Sequence, residues 1–267
     1  MNLGLKDKVA IISGASKGIG LAIAQSLATE GVKVVICSRG PEALSFAQKE
    51  IEKAGGTVFT MTADVTKPAD VKKVVTTTLK KFGQLDILIN NAGGAIKFSD
   101  FDGLTDEDWL NTFQLNVMSS VHFTRFALPA LRKSSSARII QISSIAGVQP
   151  GLYNPHYSTA KAALINFSKY LANTLVKDKI LVNVICVGPV HSDAWERNLE
   201  HVAKLKNKSV KAIRRIFDAQ ESAKVPLGRI GEGKDVAGLV TFLASAQSSW
   251  ITGSCFHVDG GKLKTIF

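Results

Sequence analysis

Seven short runs rich in β-branched residues alternate along this chain with stretches whose apolar residues recur at helical spacing. The runs are Val9 to Ser13, Lys33 to Ser38, Thr57 to Thr62, Leu85 to Asn90, Arg138 to Ser143, Leu181 to Cys186 and Ser254 to Val258. Alternation of this kind predicts an α/β fold in which crossover helices cover both faces of a parallel sheet.

The stretch from about Asp70 to Phe82 shows the pattern well. Val71, Val74, Val75, Thr78 and Phe82 fall on one helical face while lysines fill the other, and Gly83 marks the end. Gly31 is expected to close the first helix and Gly55-Gly56 the second, and Thr105 with Asp108 has the spacing of a capping box. No repeat or Pro/Ser-rich linker divides the chain. With 267 residues, 45% of them hydrophobic, it is expected to form one domain over 1–267. Residues 190–226 break the rhythm as a long charged insertion, expected to be helical and to act as a lid.

Several function classes lose support. The first strand begins almost at once, without a leader-like apolar segment, and no apolar run is long enough for a bilayer, so a cytoplasmic protein with no membrane contact is expected. Cys37, Cys186 and Cys255 are far apart and odd in number, which favours buried, reduced thiols over a disulfide framework. No histidine or cysteine spacing suggests a ligand set, so no metal is expected. The net charge of +11 fits an anionic partner or a solvated basic surface equally.

The first strand runs into Gly14-Ala15-Ser16-Lys17-Gly18-Ile19-Gly20 and then into a helix containing Leu21, Ile23, Ala24 and Leu27. The N-terminus of a helix offers free N–H groups and positive dipole to a pyrophosphate, and glycines let ligand and strand approach closely. The second strand ends in Cys37-Ser38-Arg39, where selection of NAD would ask for a carboxylate on the ribose. A guanidinium there favours a 2′-phosphate, hence NADP, with Lys17 as a second cation; both could also be ordinary surface charges.

Tyr157 and Lys161 stand four apart, hence on one helical face, and an ammonium beside a phenol stabilises the phenolate. Ser144, thirteen residues before the tyrosine, ends the fifth strand with a hydroxyl able to bond a carbonyl oxygen. Ser13-Gly14-x-x-x-Gly18-x-Gly20, Asn90-Asn91-Ala92-Gly93, Asn116, Ser144 and Tyr157-x-x-x-Lys161 together resemble the short-chain dehydrogenase/reductase family over essentially the whole chain. Within it the chain is similar to the 3-oxoacyl-acyl carrier protein reductases of fatty acid biosynthesis.

The resemblance implies a Rossmann-like, doubly wound sheet of seven parallel strands with helices on both faces. It implies Tyr157 as general acid in reduction, Lys161 lowering its pKa and holding the nicotinamide ribose, Ser144 polarising the carbonyl and Asn116 supporting a proton-relaying water. Ser143 competes with Ser144 from the opposite face of the strand, and the family's thirteen-residue spacing favours Ser144. The cofactor, NADP or NADPH, would meet Gly14, Ser16, Lys17, Gly18, Ile19 and Gly20, then Ser38 and Arg39. Asp64 and Val65 would meet its adenine; Asn91, Ala92 and Gly93 would flank it; Gly188 and Val190 would complete the set.

Two departures stand out: Ser13 where threonine is usual, and Val187-Gly188-Pro189 where the family commonly has Pro-Gly. Ile96, Phe98, Val148, Leu152, Val190, Trp195 and Phe217 could line an apolar pocket or pack the lid. A ketone or 3-oxoacyl thioester is the expected substrate, with oxidation of a secondary alcohol or sugar as the alternative. Arg132, Lys133, Arg197, Lys204, Lys206, Lys208, Lys211, Arg214 and Arg215 could meet acyl carrier protein or coenzyme A, although the compact ketoacyl reductases are shorter here. The resemblance also implies a homotetramer packed through helices near 108–131 and 155–177. A non-catalytic dinucleotide sensor or nucleic-acid binder would have no need of the full set Asn116, Ser144, Tyr157 and Lys161, so no nucleic-acid partner is expected.

Overall fold

The computed structural model describes residues 2–265, and of these the side chains at 193, 194, 197, 198 and 201 are left aside. The expected lid residue Arg197 thus lies outside the described side chains. Seven strands form one parallel sheet: β1 (Val9–Ser13), β2 (Lys33–Ser38), β3 (Val58–Thr62), β4 (Ile87–Asn90), β5 (Arg138–Ser144), β6 (Leu181–Val187) and β7 (Cys255–Val258). Their order is β3-β2-β1-β4-β5-β6-β7, so the chain reverses its direction of winding between β1 and β4. In doubly wound sheets a ligand crevice opens at that reversal, beyond the carboxyl ends of the strands.

The crossovers are α1 (Gly18–Thr29), α2 (Pro41–Lys53), α3 (Pro68–Phe82), α4 (Asp106–Phe113), α5 (Ser119–Leu131) and α6 (Pro155–Leu175), followed by α7 (Asp193–Leu205), α8 (Val210–Ser222) and α9 (Gly233–Ala244). Alternate strand residues enter opposite cores. Ile12, Ile36 and Ile89 pack with Ile23 and Leu27 of α1 and Val236 and Leu243 of α9. Ile11, Leu88 and Ile139 pack with Val74 of α3, Phe123 and Leu131 of α5 and Leu171 of α6.

Strand and helix boundaries shift by a residue or two where side chains take over from the ladder. β4 begins at Ile87 rather than Leu85; before it, the Asp86 backbone bonds Val9 and Arg138, and its carboxylate accepts from the Val9 amide at 2.9 Å. α3 starts two residues early, with Pro68 in its first turn, and ends at Gly83 in the left-handed conformation, φ 75°. The Thr105–Asp108 capping box forms as expected. The helix expected near 108–131 is interrupted, because a π-helical turn, Gln114–Met118, separates α4 from α5. Cys37 and Cys186 are buried, but Cys255 is exposed, because β7 is the edge strand. Among the described residues no helix is long and apolar enough to cross a membrane.

Candidate active site

The glycine turn after β1 is fixed by backbone contact. Gly14 takes φ 65° and its amide donates to the Cys37 carbonyl at 2.9 Å, tying the turn to the end of β2. The Ser13 hydroxyl accepts from the amides of Asn91 (3.1 Å) and Ala92 (3.0 Å). In return the Asn91 side-chain amide donates to the carbonyls of Ser13 (2.9 Å) and Gly14 (3.0 Å). A Cβ at Gly14 would lie 2.9 Å from Ala92 Cα, and one at Gly20 would lie 2.5 Å from Asn91 Nδ2. Serine, where threonine is usual, thus supplies the hydroxyl that joins the end of β1 to the segment after β4.

At the start of α1, Lys17 is an extended, exposed N-cap without a side-chain cap bond, and the first turn holds no acidic residue. The helix therefore presents its first N–H groups and its positive end without an internal counter-charge. Ser16 is buried beside it, and Gly18 and Ile19 are partly exposed. At the end of β2 the Ser38 hydroxyl is buried without a protein partner among the described residues, while Arg39 is exposed. A phosphate oxygen would satisfy that orphaned hydroxyl and pair with Arg39.

Asp64 and Val65 follow β3 on the same edge. Burial pushes the Asp64 carboxyl up, but the Thr66 hydroxyl and amide, with Arg39 and Lys67, outweigh it and hold the carboxyl below its usual range. The Thr66 hydroxyl donates to this carboxylate at 2.7 Å. The residue at the end of β2 and the residue after β3 are thus electrostatically linked, which their separation in sequence conceals.

Ser144, Tyr157 and Lys161 converge from β5 and α6. The Ser144 oxygen accepts from the Ala146 amide at 3.1 Å, which leaves its proton free to donate. The Ser143 hydroxyl, on the other face of the strand, donates to the Lys161 carbonyl at 3.0 Å. Geometry therefore turns Ser144, rather than Ser143, toward the phenol of Tyr157.

Lys161 is buried, its ammonium donating to the Ile142 carbonyl at 2.9 Å and standing 5.7 Å from the centre of the Tyr157 ring. Burial pushes the ammonium down to about 8, against the opposing influence of Cys186. Burial also raises the Tyr157 phenol, with Ser144 pulling it down and Cys186 pushing it up. Burial thus dominates the phenol in this structure, since desolvation acts on both groups and the ammonium is bonded to the Ile142 carbonyl.

Asn116 sits in the π-helical turn and is fully buried. Its side-chain amide donates to the carbonyls of Thr112 (2.8 Å) and Gly94 (3.0 Å), and its oxygen accepts from the Gly94 amide at 2.9 Å. Both amide hydrogens are thus used inside the protein. A Cβ at Gly93 would come within 2.6 Å of Asn116 Oδ1 and 3.0 Å of Lys161 Nζ, so Gly93 is the gap across which these two groups face each other.

Around this centre the expected pocket residues divide. Ile96, Phe98 and Leu152 are exposed, and Phe98 stacks on Tyr153 with ring centres 5.1 Å apart. Val190 is instead buried in the core and pairs with Gly231, and Gly188 approaches Asp259 so closely that a Cβ would lie 2.6 Å from its Cα. Trp195 and Phe217 pack against Leu199, Ala203 and Ile213 between α7 and α8. Of the basic residues, Arg214 is engaged by Glu196 and Arg132 by Asp178, while Lys204, Lys206, Lys208, Lys211 and Arg215 are exposed. Adjoining clefts of about 540 and 550 Å³ share His191, Glu232 and Lys234 and reach Gly18 and Gly233, the first residues of α1 and α9.

Asn154 escaped the sequence reading. It takes the left-handed conformation at φ 58°, and clamps Ser99 twice, through its backbone amide (2.7 Å) and its side-chain oxygen (3.1 Å). It thereby joins the loop after β4 to the start of α6, three residues before Tyr157. Asn followed by Pro at the head of an apolar periodic run is a helix-start signal that could have found it.

The family described as enoyl-(acyl carrier protein) reductase matches residues 14–262. The 3-oxoacyl-[acyl-carrier-protein] reductase FabG of Escherichia coli (strain K12) is 32% identical over 265 residues, 97% of this chain and 98% of that protein. L-Sorbose reductase from Gluconobacter frateurii, complexed with NADPH and L-sorbose, superposes with a TM-score of 0.92 at 35% identity, covering 100% of each chain. An actinorhodin polyketide ketoreductase with NADPH gives 0.89 at 30% identity over 97% of this chain and 98% of its own.

Proposed function

The chain belongs to the short-chain dehydrogenase/reductase family, and on that premise we propose that it reduces a ketone, foremost a 3-oxoacyl thioester, to the secondary alcohol with NADPH. It is an NADP-dependent oxidoreductase, in keeping with relatives of known structure that carry NADPH. The orphaned Ser38 hydroxyl with Arg39 beside it suits the 2′-phosphate. Gly14, Ser16, Lys17, Gly18, Ile19 and Gly20 would hold the diphosphate, Asp64 and Val65 the adenine. Asn91, Ala92, Gly93, Gly188 and Val190 would border the nicotinamide end, with Tyr157 and Lys161 on its ribose.

The observation that carries this reading is the convergence of Ser144, Tyr157 and Lys161, with the Ser144 oxygen accepting from the Ala146 amide and its proton left to donate. A protonated phenol at this centre is suited to giving a proton to a carbonyl oxygen. Held by these residues, NADPH would supply a hydride to the carbonyl carbon. Ser144 donates a hydrogen bond to the carbonyl oxygen and fixes its orientation. Tyr157 delivers the proton to that oxygen, and the buried Lys161 ammonium stabilises the phenolate left behind. Asn116 keeps the Gly93-Gly94 segment in place against Lys161.

The exposed apolar side chains of Ile96, Phe98, Leu152 and Tyr153 would suit an acyl chain, and the exposed lysines of α7 and α8 suit the anionic carrier of such a chain. A keto sugar is the second reading, favoured by the full-length likeness to L-sorbose reductase. Exposed Leu110, Phe113 and Tyr170 on α4 and α6 support a homo-oligomer through those helices. The test is NADPH oxidation with 3-oxoacyl thioesters, simple ketones and ketohexoses. Thioester turnover is expected to dominate and to fall at least about 10²-fold in Tyr157→Phe. Turnover of ketohexoses alone would establish the second reading, and no turnover of any carbonyl would sink both.

A further inference from the structure

In the ladder between β6 and β7, Val184 stands opposite Cys255 and Cys186 opposite His257. These positions share one face of the sheet, because paired residues of a parallel ladder point the same way and side chains alternate along each strand. Cys186 is buried there, within electrostatic reach of Lys161 and Tyr157 and with the Ser143 hydroxyl against its sulfur. Cys255 and His257, on the edge strand, are exposed. The two sulfurs are 3.3 Å apart, and Cys255 Sγ lies 4.0 Å from His257 Nε2. All three donor atoms fall within 4.8 Å of one another.

We propose that Cys186, Cys255 and His257 form a binding site for a thiophilic divalent cation of the zinc class, clasping the edge strand to the sheet behind Lys161. Two thiolates and an imidazole are a ligand set that zinc accepts, with water as the fourth, tetrahedral ligand. Zinc–sulfur bonds of about 2.3 Å at the tetrahedral angle place two sulfurs about 3.8 Å apart, and sulfur and nitrogen about 3.6 Å apart. The observed separations straddle those values. Binding exchanges the two thiol protons, released to solvent, for two metal–sulfur bonds, so two thiolate charges neutralise the ion. Ser143, bonded to the carbonyl of Lys161, backs the buried ligand as outer-shell partners commonly do.

A disulfide would require the sulfurs to close to about 2.05 Å. The two cysteines are diagonal neighbours, a relation that separates Cα atoms by roughly 7–8 Å, beyond the usual span of a disulfide without backbone movement. A metal bridges the same gap with the strands where they are. The exposed pair gives the ion its way in, and the buried cysteine keeps one ligand out of competition with solvent.

The experiment titrates the full, reduced chain with Co²⁺ as a spectroscopic probe. Thiolate-to-cobalt charge transfer in the near ultraviolet and tetrahedral d–d bands in the visible are expected, reaching saturation at one ion per chain and displaced by Zn²⁺. Cys255→Ser and His257→Ala alter exposed side chains and leave the core intact. Each is expected to weaken Zn²⁺ binding at least about tenfold and to remove the rise in Tm that Zn²⁺ gives the parent chain. A cobalt spectrum without charge transfer, or one that persists unchanged in Cys255→Ser, would overturn the site. So would a Cys186–Cys255 disulfide formed under peroxide in a chain that gives no cobalt bands.

Discussion

From Ser13 to Gly20 the chain is held by backbone pressed against backbone and by hydrogen bonds shared with Asn91 and Ala92. The helical pair α7 and α8 is held differently, by a small cluster of Leu199, Ala203 and Ile213 and by side-chain pairs at its surface, Arg214 with Glu196 and Trp195 with Asp218. The first region is determined many times over, so few side chains other than glycine fit it. The second rests on contacts that can be exchanged one at a time. The first kind of construction suits a turn that must keep one shape, whereas the second suits a segment that can open locally.

The contrast breaks most severely at Gly20. Gly20→Ala places a Cβ 2.5 Å from both Asn91 Nδ2 and the Gly14 carbonyl, and 2.8 Å from Ala15 Cα, all in segments already locked together. A loss of about 4 kcal/mol or more is expected, with NADPH binding lost in whatever protein folds. A variant with parent-like Tm and cofactor affinity, measured by thermal unfolding and fluorescence titration, would show the turn to be no tighter than the helical pair.

Lys161 tests the site from the opposite side. Burial holds its folded-state pKa at about 8, below the ordinary lysine value of 10.5, and so disfavours the charged form. The unfolded chain binds more protons between those values, and the stability penalty, full at pH 7, is relieved as pH rises from about 8 toward 10.5. Lys161→Met removes a penalty of about 3 kcal/mol and leaves the Ile142 carbonyl unpaired at a cost of about 1 kcal/mol. A net gain of about 2 kcal/mol at pH 7 is expected, together with loss of turnover, read by urea unfolding and steady-state assay. In the parent, kcat for reduction is expected to fall above pH 8 as the ammonium loses its proton. A rate that stays flat through pH 10 would remove the ammonium from the mechanism.

The smallest effect is expected in the helical pair. The Arg214–Glu196 bridge joins side chains 39% and 38% exposed, so solvent screens it. Arg214→Ala should cost less than about 1 kcal/mol in stability, raise KM for the carbonyl substrate and leave kcat near that of the parent. A drop in kcat as deep as that of Lys161→Met would mean that α7 and α8 take part in assembling the reacting centre.

Much of this architecture was legible in the chain. The seven apolar runs became the seven strands, with ends shifted by no more than two residues, because hydrophobic periodicity is local information. The same holds for the glycine turn, for the four-residue spacing of Tyr157 and Lys161, and for the cationic end of β2, each of which is written in neighbouring residues. What lay beyond reach was whatever depends on distant segments meeting. Asn116 was legible as a marker, but the π-helical turn that holds it arises from its bonds to Gly94 across a loop. The link of Arg39 to Asp64 joins two strand ends.

The spacing of Tyr157 and Lys161 was legible, but the burial that raises the phenol was not, because desolvation is a property of everything packed around a group. Cys186, Cys255 and His257 show the same division. Their spacing along the chain suggests no ligand set, yet the β6–β7 register sets their donor atoms side by side. Periodicity and short motifs thus determined the elements and the residue types at the site. Tertiary structure alone decided their burial, their charge and their distant neighbours, since those depend on the packing of segments that the sequence keeps far apart.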